Sequence, residues 1–214
     1  MAGIGIYGGT FDPVHQTHLA LARLVRDRFR LGEVLIVLAP EPPHKCGAFA
    51  PFAERAAMLE LALASEPDCA RIRCSRIEAD LPRPSYTIHT VEAIMRRHAD
   101  AHCYLVIGLD SLAALPEWHR AEELMALVDM IAVNRGAALP AEIQGLVARL
   151  RPACRPLREN LWINTAGRAL HLVPDFHMPH SSTAIRAALA AGAEPDGLPP
   201  AVLAHIRRRH LYSS

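Results

Sequence analysis

Two histidines, His15 and His18, stand three residues apart at what reads as a helix start, directly after the glycine pair Gly8-Gly9 and the run Thr10-Phe11-Asp12-Pro13-Val14. At that spacing both imidazoles can project to one side, beside N–H groups that have no partner within the helix and at the positive end of its dipole. Such an arrangement suits a polyphosphate. A bare H-x-x-H pair is more often one capping histidine and one packed ring, and a zinc reading finds no further ligand at a suitable spacing. Far along the chain, Ser181-Ser182-Thr183-Ala184-Ile185-Arg186 opens another helical stretch, with hydroxyls in its first turn and an arginine one turn in. Alone this is an ordinary N-cap with a solvated arginine. Combined with a second phosphate-seeking segment, its hydroxyls, N–H groups and guanidinium could converge on phosphate oxygens.

The elements around these segments decide where they sit. Apolar and helical patterns alternate as strand 4–7, helix 18–29 with Leu21, Val25 and Phe29 on one face, strand 34–38, helix 52–64, strand 71–77, helix 87–98, strand 103–107, helix 120–127 and strand 130–134. This order predicts an α/β fold: a Rossmann-like doubly wound parallel sheet with helices on both faces, in a single domain over 1–214. The continuous apolar run 103–107 predicts a strand buried on both faces, ending at Gly108. Beyond residue 135 the pattern gives a helix near 140–150, a Pro- and Arg-rich connector, a strand near 169–173, and helices 182–191 and 199–209. The last two belong to a helical C-terminal part, from about residue 175, packed on the domain. The Pro- and Gly-rich segment 39–51 reads as a loop and carries His44 and Lys45. If the first strand and the one ending at Ile107 are neighbours, the run 8–18 and Gly108-Leu109-Asp110-Ser111 face one crevice.

Composition removes several function classes. With 23 Lys+Arg against 22 Asp+Glu, a net charge of +1, there is no general field for nucleic acid or a membrane surface, so an anion must be held locally. Arg207-Arg208-Arg209 is a short basic helix face. The five cysteines never form C-x-x-C and read as free thiols of a reducing compartment. No apolar run is long enough to cross a bilayer and no basic leader precedes the first strand, which predicts cytoplasmic placement.

Gly-Gly-Thr-Phe-Asp-Pro-Val-His-x-x-His together with Ser-Ser-Thr-x-Ile-Arg resembles the nucleotidyltransferase superfamily of adenylyltransferases. Pro42-Pro43-His44-Lys45, Arg55, Met58-Leu59, Pro84-Ser85-Tyr86-Thr87, Gly108-x-Asp110-Ser111-Leu112, Pro116-x-Trp118 and Leu211-Tyr212 extend the similarity over essentially the whole chain, to bacterial nicotinate mononucleotide adenylyltransferases. The resemblance implies transfer of AMP from ATP to nicotinate mononucleotide, giving deamido-NAD and pyrophosphate in NAD biosynthesis, with Mg²⁺ held mainly by the ATP phosphates. It implies His15, His18, Lys45 and Arg186 as the catalytic groups around those phosphates. Gly8, Gly9, Thr10, Phe11, Gly108, Asp110, Ser182 and Thr183 would contact ATP; Asp110 would accept from a ribose hydroxyl or else cap the turn that follows. His44, Thr87 and Trp118 would contact the acceptor, Trp118 stacking on the pyridine ring and Thr87 receiving its carboxylate. The acceptor phosphate has a second pKa of ~6 and is already largely ionised near neutrality, so no general base is required.

The chain departs from the family's pattern in three places. Thr17 replaces the glycine of H-x-G-H, where it either crowds the nucleotide or serves as a helix N-cap. His180 replaces the aliphatic residue that commonly precedes Ser-Ser-Thr, and His119 replaces the aromatic that commonly follows Trp118. Competing readings are an adenylyltransferase that prefers nicotinamide mononucleotide or another phosphorylated acceptor, and an ATP-binding sensor silenced by Thr17. Assembly into a homo-oligomer is left open by the sequence.

Overall fold

The computed structural model describes residues 3–40, 50–134, 140–176 and 179–213. The chain forms two compact units, Met1–Tyr7 with Tyr86–His177 and Gly8–Ser85 with Met178–Ser214. Strand β1 (Gly3–Gly9) begins in the first unit and ends in the second.

The second unit continues with α1 (Gln16–Arg28), β2 (Glu33–Leu38), α2 (Phe52–Ser65) and β3 (Ile72–Ser75). Helix α1 buries Leu19, Leu21, Ala22 and Val25, the stripe expected of a helix with one face on a core. Phe29, expected on that face, is instead the half-buried residue that ends the helix. Strands β2 and β3 are parallel, Val34 opposite Ile72, and Val34–Leu38 is almost wholly buried.

In the first unit follow α3 (Thr87–Arg97), β4 (His102–Gly108), α4 (Leu109–Ala114), α5 (Ala121–Leu127), β5 (Asp129–Val133), α6 (Pro140–Ala148), β6 (Cys154–Arg158), β7 (Leu161–Asn164) and β8 (Ala169–Val173). Its strands run in the order β1-β4-β5-β8-β7-β6. The first four are parallel, Ile4 pairing with Cys103 and Ile131 with His171, so β1 and β4 are the neighbours the sequence suggested. Every residue of β5 is buried, as a central parallel strand requires. The C-terminal helices α7 (Ser182–Ala190) and α8 (Pro200–Arg208) belong to the second unit. There Glu54 of α2 takes hydrogen bonds from Arg209 and pairs with His205 of α8 at 2.7 Å.

The α/β class with a mostly parallel sheet is as expected, with local differences. Helix α1 starts at Gln16, so His18 lies inside its first turn. The segment expected as strand 71–77 divides into β3 and a 3-10 turn, Ile77–Asp80. The Pro- and Arg-rich connector contains β6 and β7, both antiparallel to their neighbours. Beyond half-buried Cys154 every residue of β6 is exposed, and the register shifts between Pro156 and Arg158, so the segment carries no apolar alternation to read; an edge strand is where proline is tolerated. The four described cysteines are free thiols, and no helix among the described residues is long and apolar enough to cross a membrane.

In the second unit the largest fully buried side chain is Arg55 of α2. Its guanidinium donates to four carbonyls: Ala50 at 3.1 Å, Thr10 at 2.8 Å, Ala39 at 2.8 Å and Pro40 at 2.8 Å. Burial pulls its proton affinity down, and the charge of nearby Asp12 partly offsets this. A planar fork of N–H donors is the side chain that can satisfy several loop carbonyls at once. Replacing Arg55 by Leu strands these acceptors at about 1–3 kcal/mol each. Arg55→Leu is therefore expected to lower the unfolding free energy by about 3 kcal/mol or more in a urea titration; a loss below about 1 kcal/mol would contradict the role given to it.

Candidate phosphate-binding site

Helix α1 begins at His15, whose extended backbone makes it the N-cap, with His18 as the third helical residue. The His15 N–H donates to Nδ1 of His18 at 3.2 Å, so a neutral His18 ring carries its proton on Nε2. The two imidazoles stack with centroids 3.6 Å apart and planes 23° from parallel. His15 is buried and His18 half-buried, so His18 is the more open of the pair. Phe11 meets His18 edge-on at 5.0 Å. The Phe11 ring also lies over Gly9, where a Cβ would come within 2.9 Å of the ring tip; Phe11 itself has φ 49. Gly9 is thus required by the fold of its own loop, while a Cβ at exposed Gly8 would meet nothing within 4 Å.

Helix α7 begins at Ser181, whose hydroxyl accepts from the Ala184 N–H at 3.2 Å. Within the second unit the start of α7 is tied to the segment that leads into α1. Ser182 Oγ donates to the Pro13 carbonyl at 3.0 Å, and Arg186 Nη1 donates to the Asp12 carbonyl at 2.6 Å. Arg186 Nη2 reaches Thr183 Oγ1 at 3.4 Å. The Asp12 carboxylate is buried and accepts from the Tyr212 hydroxyl and, at 3.2 Å, from the Ala50 N–H. Two helix starts with two imidazoles, a guanidinium and hydroxyls are therefore gathered in one unit, the donor set of an anion site.

Thr17 is not the N-cap of α1, since His15 occupies that position. It lies one turn-position inside the helix, buried, with Oγ1 3.1 Å from Nδ1 of His180.

The remaining expected site residues lie in the first unit, except His44 and Lys45, which fall outside the described residues. Gly108 ends β4 and is the N-cap of α4, so exposed Asp110 sits in that helix's first turn and caps nothing. Thr87 is the first residue of α3, behind Tyr86 as N-cap. Trp118 is half-buried and follows the 3-10 turn Leu115–Glu117, its N–H bonded to the Leu115 carbonyl at 3.0 Å. His119 stacks on Tyr86 at 4.2 Å, with His89 edge-on to both. Arg120, at φ 54, pins this turn through Glu92 of α3 and Glu123 of α5. The sequence marks Asp12, Arg55 and Tyr212 only as residues of the family resemblance and gives them no role; a single polar residue has no periodicity that would reveal its partners.

A cytidylyltransferase-like family profile matches residues 6–188. A probable nicotinate-nucleotide adenylyltransferase of Solibacter usitatus is 38% identical over 98% of this chain and 99% of its own. One from Chromobacterium violaceum is 39% identical over 99% of both. Among solved structures, a Plasmodium falciparum nicotinic acid mononucleotide adenylyltransferase complexed with NaAD superposes with a TM-score of 0.74 at 17% identity, covering 99% of this chain and 98% of that one.

Burial, reinforced by the bond to Asp12, pushes the Tyr212 hydroxyl well above its ordinary value near 10.0. Tyr212→Phe is expected to cost about 1.5–3 kcal/mol, the worth of a hydrogen bond to a charged group. Because the folded state holds this proton more tightly, the wild-type advantage over Tyr212→Phe is complete below pH ~10 and shrinks as pH rises above it. Urea unfolding of both proteins across that range measures it; an advantage growing with pH would contradict the bond.

Proposed function

We propose, for a chain that belongs to the cytidylyltransferase-like family and within it to the nicotinate-nucleotide adenylyltransferases, that its paired helix starts bind the triphosphate of ATP while AMP passes to nicotinate mononucleotide. The observation that carries this reading is the tie of Ser182 and Arg186 at the start of α7 to the Asp12–Pro13 backbone that leads into His15 and His18, within one unit. A phosphate oxygen of the mononucleotide attacks the α-phosphorus of ATP. The bond from that phosphorus to the bridging oxygen of the β-phosphate breaks, and pyrophosphate leaves with the electron pair. The attacking oxygen is already an anion near neutrality, so the protein's work is alignment and neutralisation of charge.

In this scheme His18 donates from Nε2 to a phosphate oxygen, and His15 beneath it fixes the ring by stacking and through its own N–H. The positive dipole ends of α1 and α7 face the developing charge, and Arg186 takes the leaving pyrophosphate end. Lys45 is assigned to a phosphate from its loop and His44 to the acceptor. Gly8, Gly9, Thr10 and Phe11 form the backbone side of the ATP contact, and Gly108 with Asp110 is assigned to the ribose. Thr87 is assigned to the nicotinate carboxylate and Trp118 to the pyridine face, where stacking accepts acid or amide and donors favour the acid. The donors just named are those of an anion site, and Mg²⁺ would be held chiefly by the phosphate oxygens, where it would supply further neutralisation of the triphosphate. Free thiols in a nearly neutral chain fit a cytoplasmic setting for the reaction.

With ATP, Mg²⁺ and nicotinate mononucleotide the protein is expected to release pyrophosphate and form deamido-NAD, more slowly with nicotinamide mononucleotide. ATP binding with no pyrophosphate from either acceptor would overturn the reading in favour of a sensor. Arg186→Gln is expected to lower kcat/KM about 10²–10³-fold, as removal of one charge-stabilising donor does; a change below threefold would remove Arg186 from the phosphate site.

A further inference from the structure

The two departures nearest the phosphates, Thr17 and His180, touch each other. Thr17 Oγ1 lies 3.1 Å from His180 Nδ1, joining the first turn of α1 to the residue just before the N-cap of α7. Hydrogen-bond accounting gives this contact a direction. Thr17 is only 3% exposed, and among the described residues its hydroxyl has no other partner. The carbonyl four residues back, Pro13, already accepts from Ser182. If His180 donated from Nδ1, the hydroxyl proton of Thr17 would be buried without an acceptor, a loss of about the size of a hydrogen bond. The hydroxyl therefore donates, Nδ1 accepts, and the neutral ring keeps its proton on Nε2.

The ring is held on its other side too. Gly197 has φ +82, and a Cβ there would come within 2.4 Å of His180 Cδ2 and Cγ. The Gly197 carbonyl in turn accepts from the Gln16 N–H at 2.8 Å, at the first position of α1. His180 is half-buried, its ring centroid is 6.4 Å from that of His15, and among the described residues nothing on the protein bonds its Nε2.

We propose that His180 is a third imidazole of the ATP phosphate site, a neutral Nε2–H donor to a phosphate oxygen that Thr17 holds in the correct tautomer and orientation. His180 is a binding residue and Thr17 its positioning residue. The inference rests on the ATP reading given above. On this account Thr17 is the hydrogen-bonding partner of His180 rather than an obstacle to the nucleotide.

The test is calorimetric titration of the whole protein with MgATP in the absence of acceptor, with pyrophosphate release measured separately. His180→Phe, which keeps a ring and removes both nitrogens, is expected to bind MgATP about tenfold more weakly, or about 1.4 kcal/mol, with the KM for nicotinate mononucleotide unchanged. His180→Gln, whose amide can reach the Nε2 position, is expected to recover binding to within about threefold of wild type. Thr17→Val is expected to weaken MgATP in the same direction and to add nothing in the Thr17→Val/His180→Phe double variant, because the two act as one unit. Thr17→Ser, which keeps the hydroxyl, should bind as wild type does and serves where the valine variant folds poorly. MgATP affinity within twofold of wild type in His180→Phe, or multiplying losses in the double variant, overturns the proposal. ATP affinities that follow this pattern without transfer to nicotinate mononucleotide support it and overturn the assigned reaction instead.

Discussion

Two consecutive peptide carbonyls, those of Asp12 and Pro13, accept from residues far away in sequence: Arg186 on the first and Ser182 on the second. The Asp12 side chain meanwhile holds Tyr212 near the C-terminus and the Ala50 N–H ahead of α2. These bonds lie in a poorly solvated place, where an unmade one costs more than a made one gains, so the segment acts as a knot. Everything proposed for the phosphates depends on it, because a helix N-terminus binds an anion only when its N–H groups are aimed. Arg55 performs the same task for the neighbouring loops, gathering the carbonyls of Thr10, Ala39, Pro40 and Ala50.

The chemistry follows from this rigidity. Adenylyl transfer to a phosphate asks for no proton abstraction, and an attacking anion meeting a polyanion needs charge dispersed along a fixed line. Neutral imidazoles fixed as Nε2–H donors, helix ends and one arginine can supply that without a strong positive field, in keeping with a chain whose net charge is +1. Tautomers matter more than charge here: backbone sets His18 and, in the proposal above, a side-chain hydroxyl sets His180.

Much of this was legible in the residues. Strands with continuous apolar runs, β4 and β5 above all, and helices with clean stripes such as α1 announce themselves because burial of a whole face demands periodicity. The two segments proposed to bind phosphate stand out as short runs of histidine, hydroxyl and arginine residues, and both do open helices. Illegible were the edge strand β6, which is almost entirely exposed, and its neighbour β7, which at four residues is too short and shows no alternation of burial. The partners of Arg55, Asp12 and Tyr212 were illegible for a different reason. Each acts through tertiary hydrogen bonds between residues tens to hundreds of positions apart, which no local pattern encodes. Thr17 is not the N-cap that the sequence offered as one alternative; its hydroxyl meets His180, a partner 163 positions away.

The most direct measurement is amide NMR of the protein titrated with MgATP, following the backbone N–H signals of residues 16–18 and 182–184. Convergence of α1 and α7 on one triphosphate predicts that both sets shift together and saturate at a single Kd. Shifts confined to one helix start, or two sets that saturate at different concentrations, would contradict it.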